Sequence, residues 1–164
     1  MRKCAMLHAM RNSTTSGNSL IGRAVAALRE RLPERWALEV GLAPRARRLA
    51  ARPDAVLTLA GPDGRRATII VEAKSRVTAA MASSAAPQLA QAVRDAKAAG
   101  GLLVTNYLSP LARQRLAEGG ASFLDLTGNA RIVVDRPAIF IEARGADRDP
   151  APVGREVRSL KGGS

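Results

Sequence analysis

The sequence predicts an α/β fold in which helices flank a mixed central sheet. Its 164 residues correspond to one domain, since a typical domain has roughly 150 residues. Read along the chain, the predicted elements follow the order α-β-β-β-α-β-α-β and end with a further pair of strands. A hairpin makes neighbouring strands antiparallel, whereas a strand–helix–strand crossover makes them parallel. Because the order contains both connections, the sheet has both kinds of pairing.

Amphipathic periodicity predicts the first helix over residues 18–32, with Asn18 or Ser19 as its N-cap. At about 100° per residue, the apolar stripe of this helix consists of Leu20, Ile21, Ala24, Val25, Leu28 and Leu32. Alternation of apolar and polar residues predicts the first strand over 36–42. One face of that strand carries Leu38, Val40 and Leu42.

A β-hairpin is predicted next. Two apolar runs, at residues 55–59 and 68–73, flank the sequence Gly-Pro-Asp-Gly at 61–64. Gly and Pro in that arrangement are strong turn signals, and the runs are rich in Val, Leu and Ile, which favour buried strands. The segment before the hairpin, residues 44–52, is basic and irregular.

Shorter signals predict the rest of the fold. A helix over 85–99 ends at the glycine pair 100–101, and a second helix over 110–118 follows the N-cap Ser109. The later strands span residues 102–105, 122–126, 131–134 and 138–141. The sequence Asp-Leu-Thr-Gly-Asn at 125–129 is interpreted as a strand end and a turn, in preference to a functional motif.

Three segments are expected along the chain. Residues 1–17 form a flexible leader without acidic side chains, residues 18–144 form the folded domain, and residues 145–164 form a polar tail rich in Gly and Pro. No run of about 18 consecutive apolar residues occurs, so no membrane span is predicted. A cytoplasmic location is expected.

The composition excludes several kinds of site. Cys4 is the only cysteine and His8 the only histidine, so an intrachain disulfide and a zinc centre of Cys and His ligands are both excluded. A Ser-His-Asp or Cys-His enzyme would have to recruit the lone histidine from the leader. Four aromatic residues in the chain are too few for a base-stacking platform. Hydrolytic chemistry, if present, has to use carboxylates, lysine and a hard metal ion.

The net charge points to a polyanionic partner. The chain carries a formal charge of +12 at pH 7, and a field of that sign attracts DNA or RNA. Most of the basic residues are arginine and alanine is abundant, a profile typical of GC-rich coding sequence. Part of the arginine excess therefore has a mutational explanation.

The residues suited to chemistry lie in the predicted hairpin. Opposed residues of an antiparallel hairpin have a constant index sum, and a turn centred on Asp63 places Asp54 across from Glu72 with Cβ atoms about 5 Å apart. Glu72 and Lys74 leave the same face because they are two residues apart on a strand. Two such carboxylates repel each other unless a cation lies between them. Mg²⁺ accepts one or two carboxylates together with water and phosphate oxygens.

Lys74 would stand beside that cation, where it could orient or help to deprotonate a water, or stabilise charge on a phosphate. A purely structural role for these three residues is the alternative. Asp54 would then cap a turn after Pro53, and Glu72 and Lys74 would form an ordinary ion pair on a solvated face.

The dipeptide Pro53-Asp54, the triplet Glu72-Ala73-Lys74 and a following helix that carries Gln88 together resemble the PD-(D/E)XK phosphodiesterase superfamily. The resemblance implies a restriction endonuclease-like αβββαβ core over about residues 19–105 and a metal-dependent DNA endonuclease activity. It also implies Asp54 and Glu72 as ligands of Mg²⁺, for which Mn²⁺ can substitute. Lys74 would be the catalytic lysine and Gln88 an accessory residue. For Gln88, a plain surface position on a half-buried helix remains open.

A narrower resemblance comes from the segments 104–110, 123–129 and 140–142. They are similar to bacterial proteins that place such a nuclease-like domain before a winged helix-turn-helix. This implies that residues 18–144 are the nuclease-like domain and that the tail at 145–164 is the possible start of a missing winged helix. In one respect the chain departs from the superfamily. Several members add a glutamate on the first helix, whereas Glu30 points away from its apolar stripe, and Glu34 and Glu39 are possible substitutes. A second metal site is therefore in question.

Arginines near the predicted site are expected to hold DNA phosphates. They are Arg45, Arg47, Arg48, Arg52 and Arg76. For the run from Arg45 to Arg52, a solvated loop is the alternative. For the whole chain the alternatives are a non-catalytic DNA-binding regulatory module that retains the nuclease fold, and a truncated fragment without an independent role. A homodimer is also possible.

Overall fold

The computed structural model of the chain describes residues 15–41 and 52–150, and of residues 15–19 it describes the backbone alone. The helices in these ranges are α1 (Thr15–Arg31), α2 (Ala79–Ala96) and α3 (Pro110–Glu118). The strands are β1 (Ala37–Gly41), β2 (Ala55–Ala60), β3 (Arg66–Lys74), β4 (Gly100–Thr105), β5 (Ser122–Asp125), β6 (Ala130–Asp135) and β7 (Ala138–Ala143). The α/β class and the predicted order of elements are both confirmed.

The strands form a seven-stranded sheet in which spatial order follows chain order from β1 to β7. Pairing is antiparallel from β1 to β3 and again from β5 to β7. It is parallel between β3 and β4 and between β4 and β5. Each parallel pair needs a crossover, and α2 and α3 provide the two crossovers. The predicted mixed sheet is therefore confirmed.

Helices cover both faces of this sheet. α1 packs on one face, where its buried side chains join those of β2, β3, β4 and β6 in one core. α2 and α3 pack on the opposite face and form a second core with Ile70, Leu103 and Phe123. Within the described ranges, no helix combines the length and the apolar character needed to cross a membrane.

The alternation of β3 decides where its charged end points. Ile69 and Val71 belong to the core under α1, whereas Ile70 belongs to the core under α2 and α3. Successive side chains of a strand point to opposite faces. Glu72 and Lys74 therefore lie on the face of Ile70, toward α2.

The boundaries of α2 differ from the prediction. The helix begins at Ala79, because the Thr78 side chain accepts a hydrogen bond from the Met81 N–H and caps it, and it continues through Pro87. Its early turns are held by buried alanines at 82, 85 and 86, which give little periodic signal. The helix ends at Ala96 with Lys97 in the left-handed conformation. The predicted terminators Gly100 and Gly101 are instead the first residues of β4.

The first strand is only half covered. Leu38 is buried, but Val40 on the same face is 51% exposed. β1 is an edge strand that pairs with β2 alone, so a common face does not ensure burial. The third residue predicted for this face, Leu42, lies outside the described ranges.

A buried polar cluster joins the end of β5 to the start of β6. The Asp125 carboxylate is 1% exposed and accepts five hydrogen bonds, from the Leu108 N–H, the Thr127 N–H and hydroxyl, and the Asn129 N–H and side-chain amide. All five donors belong to the same folded domain as Asp125. The interpretation of residues 125–129 as a strand end and turn is confirmed.

Asn129 extends this cluster to the segment after β7. Its side-chain oxygen accepts from Arg113 and from the Gly145 N–H, and its amide donates to the Ala146 carbonyl. The Tyr107 hydroxyl donates to the Asp147 carbonyl at 2.7 Å. The first residues of the predicted tail, 145–147, are thus bonded to the sheet, and residues 151–164 lie outside the described ranges.

Tyr107 makes this attachment sensitive to alkaline pH. Burial raises the pKa of its phenol above the ordinary value of 10.0, the charges of Asp149, Asp125 and Asp147 add to the rise, and Arg113 opposes it. A raised pKa in the folded state gives stability that is complete below the unfolded value. That stability is lost as the pH rises through the raised pKa, where the ionised hydroxyl no longer donates to the Asp147 carbonyl.

Replacement of Asp125 by Asn is expected to destabilise the fold by about 1–3 kcal/mol. The amide has the same shape but turns one acceptor into a donor that faces other donors, which leaves buried polar groups unpaired. Urea unfolding followed by circular dichroism measures the change. The control is Asp135→Asn at the exposed end of β6, expected to shift the free energy of unfolding by less than about 0.5 kcal/mol. Equal effects of the two substitutions would contradict the structural importance of the cluster.

Candidate functional site

The hairpin register confirms the predicted pairing of the two strands. β2 and β3 pair from Ala55↔Val71 to Ala60↔Arg66, and every pair has an index sum of 126. Asp54 lies one position before the first of these pairs, and its N–H donates to the Val71 carbonyl at 3.0 Å. That bond departs by one position from the ladder sum, so the regular pairing ends at Ala55↔Val71 and does not extend to Asp54 and Glu72.

A backbone hydrogen bond fixes the Asp54 carboxylate. Its Oδ2 accepts from the N–H of Ala73 at 2.8 Å, so the side chain bonds across the hairpin and not within the turn after Pro53. Ala73 stands between Glu72 and Lys74, and the bond therefore holds Asp54 at the centre of the triplet. Oδ1 of Asp54 has no hydrogen-bond partner within residues 15–41 and 52–150.

Glu72 and Lys74 form an ion pair on the α2 face. Lys74 Nζ lies 2.7 Å from Glu72 Oε1, and both side chains are about one-third exposed. A pair so open to water contributes little stability. Its effect is positional, because it holds an ammonium group and a carboxylate next to Asp54 at the end of β3.

A cleft of about 560 Å³ opens where these side chains meet α2. Its polar lining comes from Arg52, Asp54, Glu72, Lys74, Gln88, Gln91 and Asp95. The structure thus brings together the four residues that the sequence singled out for chemistry, together with one arginine of the basic run. Arg76 lines a neighbouring cleft instead. The remaining three arginines of the run, Arg45, Arg47 and Arg48, lie outside the described residues.

Sequence reasoning missed two residues of this cleft. Gln91 and Asp95 line it from α2, and the Gln91 amide donates to Asp95 at 2.8 Å while its oxygen accepts from Arg94 at 2.6 Å. A helical signal was present, since residues three, four and seven apart share one face of a helix. Gln91 and Asp95 lie three and seven residues after Gln88, so this spacing could have identified both.

Two carboxylates of the cleft, Asp54 and Glu72, could serve as metal ligands. In the part of the chain that the structure describes, no group of three or more Asp, Glu, His or Cys residues is placed to hold a metal. Asp54 and Glu72 remain as a carboxylate pair, which suffices for Mg²⁺ because that ion keeps several waters. The substitutes considered for an additional acid do not reach the cleft, since Glu30 and Glu34 are exposed elsewhere. Glu39 pairs with Arg66, and neither residue lines the cleft.

No protein-family model, curated protein or solved structure matches this chain.

The wall of the cleft depends on a close approach between α2 and β4. A Cβ atom on Gly101 would lie 2.6 Å from Leu89 Cγ and 2.9 Å from Val93 Cγ2, whereas a Cβ on Gly100 would meet nothing nearer than the Val133 carbonyl at 3.8 Å. Only a glycine at 101 lets the helix sit this low on the sheet. Gly100, which has room for a Cβ atom, provides a matched control for a substitution at Gly101.

Gly101→Ala is expected to cost about 1–3 kcal/mol, the usual effect of overpacking a tight interface. The helix has to move outward, and Gln88 and Gln91 move with it. Urea unfolding measures the stability change, and amide chemical shifts of α2 report the displacement. Gly100→Ala serves as the control and is expected to leave the α2 shifts in place. Identical behaviour of the two variants would refute the close approach.

Proposed function

We propose that this chain is a Mg²⁺-dependent DNA endonuclease with a PD-(D/E)XK, restriction endonuclease-like core. The observation that carries the proposal is that Asp54, Glu72 and Lys74 line one cleft. Two carboxylates and a lysine in that arrangement provide metal ligands and a cation for phosphodiester hydrolysis. The element order from α1 to β4 is in keeping with the proposed core.

Asp54 and Glu72 would hold the metal. When bound, Mg²⁺ supplies positive charge to the phosphate and makes a coordinated water more acidic. The contribution of the chain itself is to keep both carboxylates in place before metal arrives. The Ala73 N–H fixes Asp54 and leaves Oδ1 available, and Glu72 lines the same cleft.

Lys74 supplies a second cation on the same face. Its ammonium group already lies at the cleft through the ion pair with Glu72. From there it orients the attacking water and stabilises the negative charge that develops on the phosphate oxygens. The reaction is attack of water on phosphorus with cleavage of one phosphorus–oxygen bond, which gives a phosphate end and a hydroxyl end.

DNA is the proposed substrate because of charge. The net charge of +12 favours association with a polyanion, and Arg52 brings a guanidinium to the cleft that holds the carboxylates. The sequence that precedes it is also basic and contains Arg45, Arg47 and Arg48. Such contacts position the phosphate backbone without reading its sequence.

Nicking of supercoiled plasmid tests the proposal. The protein is expected to cut in Mg²⁺ or Mn²⁺ and to be inactive in EDTA. Glu72→Ala and Lys74→Ala are each expected to abolish cleavage while DNA binding, measured by gel shift, stays within about twofold, because binding rests on the arginines.

Glu39→Ala is the matched control for nicking, since Glu39 is also an ion-paired carboxylate on a strand of this sheet but lines neither cleft. If the folded wild-type protein binds DNA and does not cut it in any metal, a non-catalytic DNA-binding module replaces the nuclease proposal.

Metal affinity gives an independent measurement. Asp54→Asn and Glu72→Gln are each expected to weaken Mn²⁺ binding by at least about tenfold, since even outer-shell substitutions have effects of that size. Electron paramagnetic resonance of free Mn²⁺ measures the dissociation constant directly. Glu39→Gln is expected to leave it unchanged, and a comparable loss in that variant would remove the ion from the cleft.

A further inference from the structure

A second cleft of about 650 Å³ lies beside the first one. It opens at the carboxyl ends of the parallel strands β3, β4 and β5, where Ser75, Arg76, Asn106 and Tyr107 line it. Ser75 and Arg76 follow Lys74 directly, so the end of β3 forms the ridge between the two clefts. The Asn106 amide donates to the Ser75 carbonyl at 2.8 Å and holds this ridge to the end of β4.

Two arginines line this cleft. Arg23 comes from α1 and Arg76 from the loop that joins β3 to α2. Neither side chain makes a hydrogen bond or an ion pair within the described residues. Two positive charges that converge on one concave surface favour a ligand with a compact negative charge.

The backbone around the cleft also carries partial positive charge. Thr78 and Ala79 at the start of α2 and Ser109 at the start of α3 line it, and neither helix carries an acid in its first turn. The cap bonds use the N–H groups of Met81 and Ala112. First-turn N–H groups outside those bonds have no acceptor within their helix, and they add partial positive charge to that of the arginines.

One carboxylate also lines the cleft. Asp149 belongs to the segment after β7, which Tyr107 and Arg113 attach through the carbonyl and side chain of Asp147. Asp149 has an interaction of its own. Against two arginines and two helix starts, one carboxylate leaves the charge of the lining positive.

We propose that this second cleft is a phosphate-binding site, with Arg23 and Arg76 as the charged donors. The ligand is a phosphate group of a polynucleotide strand that runs from the first cleft across the ridge at Ser75. The course of the strand rests on the proposed function, whereas binding of phosphate does not. The same chemistry also suits free phosphate, and the experiment separates the two sources.

The test is a titration of the ¹⁵N-labelled protein in EDTA, followed by amide chemical shifts. Inorganic phosphate is expected to shift the amides of residues 75–79 and 106–109. A six-nucleotide oligothymidylate is expected to shift these and also residues 72–74 in the first cleft. Phosphate added to the oligonucleotide complex is expected to compete at the second cleft.

Three variants probe the site in different ways. Arg23→Gln and Arg76→Gln remove one charge each and are expected to weaken phosphate binding by about tenfold, the effect of one charge-assisted hydrogen bond. Ala79→Leu fills the cleft without a change of charge and is expected to weaken binding as much. The control Arg136→Gln removes an exposed charge from the turn between β6 and β7, away from both clefts, and is expected to leave binding unchanged.

Equal weakening by Arg136→Gln and Arg76→Gln, or no effect of Ala79→Leu, would reduce the proposed site to diffuse attraction and overturn it. Shifts with phosphate but not with the oligonucleotide would overturn the course of the strand and assign the site to small phosphate compounds. Because none of these measurements uses cleavage, an inactive protein that binds both ligands as expected contradicts only the proposed nuclease function.

Discussion

The structure depends on the register of the β2–β3 hairpin. A shift of one residue in this pairing would turn every side chain of β3 to the other face. Val71 would leave the core under α1, and Glu72 and Lys74 would enter it, which would bury two charges in an apolar layer. Apolar packing therefore holds the register, and the register turns Glu72 and Lys74 to the face of α2. The candidate site is a consequence of the requirement that β3 present its aliphatic side chains to α1.

The second determinant is the seating of α2 on the sheet. Gly101 on β4 allows Leu89 and Val93 of the helix to approach the sheet closely. The close approach brings one face of α2 level with the end of the hairpin, and Gln88, Gln91 and Asp95 on that face become the opposite wall of the first cleft. The same helix begins at the second cleft. α2 therefore lines the first cleft with one face and the second cleft with its N-terminal end.

How much the sequence could predict follows from the range of the interactions. The hairpin register was predictable because a four-residue turn and two short runs determine it locally, and with it the common face of Glu72 and Lys74. The start of α2 was not, since Pro87 normally marks a helix boundary and the buried alanines before it give little periodic signal. The bonds of Asp125 to Leu108, and of Asn129 to Gly145 and Ala146, join segments distant in sequence. No local sequence pattern predicts these hydrogen bonds.

Ala73 makes two separate contacts, one through its main chain and one through its side chain. Its backbone N–H holds Asp54, whereas its methyl group packs against the core under α1. The contact with the carboxylate is made by the main chain, so it does not depend on which side chain occupies this position. Evolution or an engineer can therefore vary residue 73 among small apolar types and adjust core volume while the carboxylate geometry stays constant. The middle position of the triplet is a place where stability and chemistry can be tuned independently.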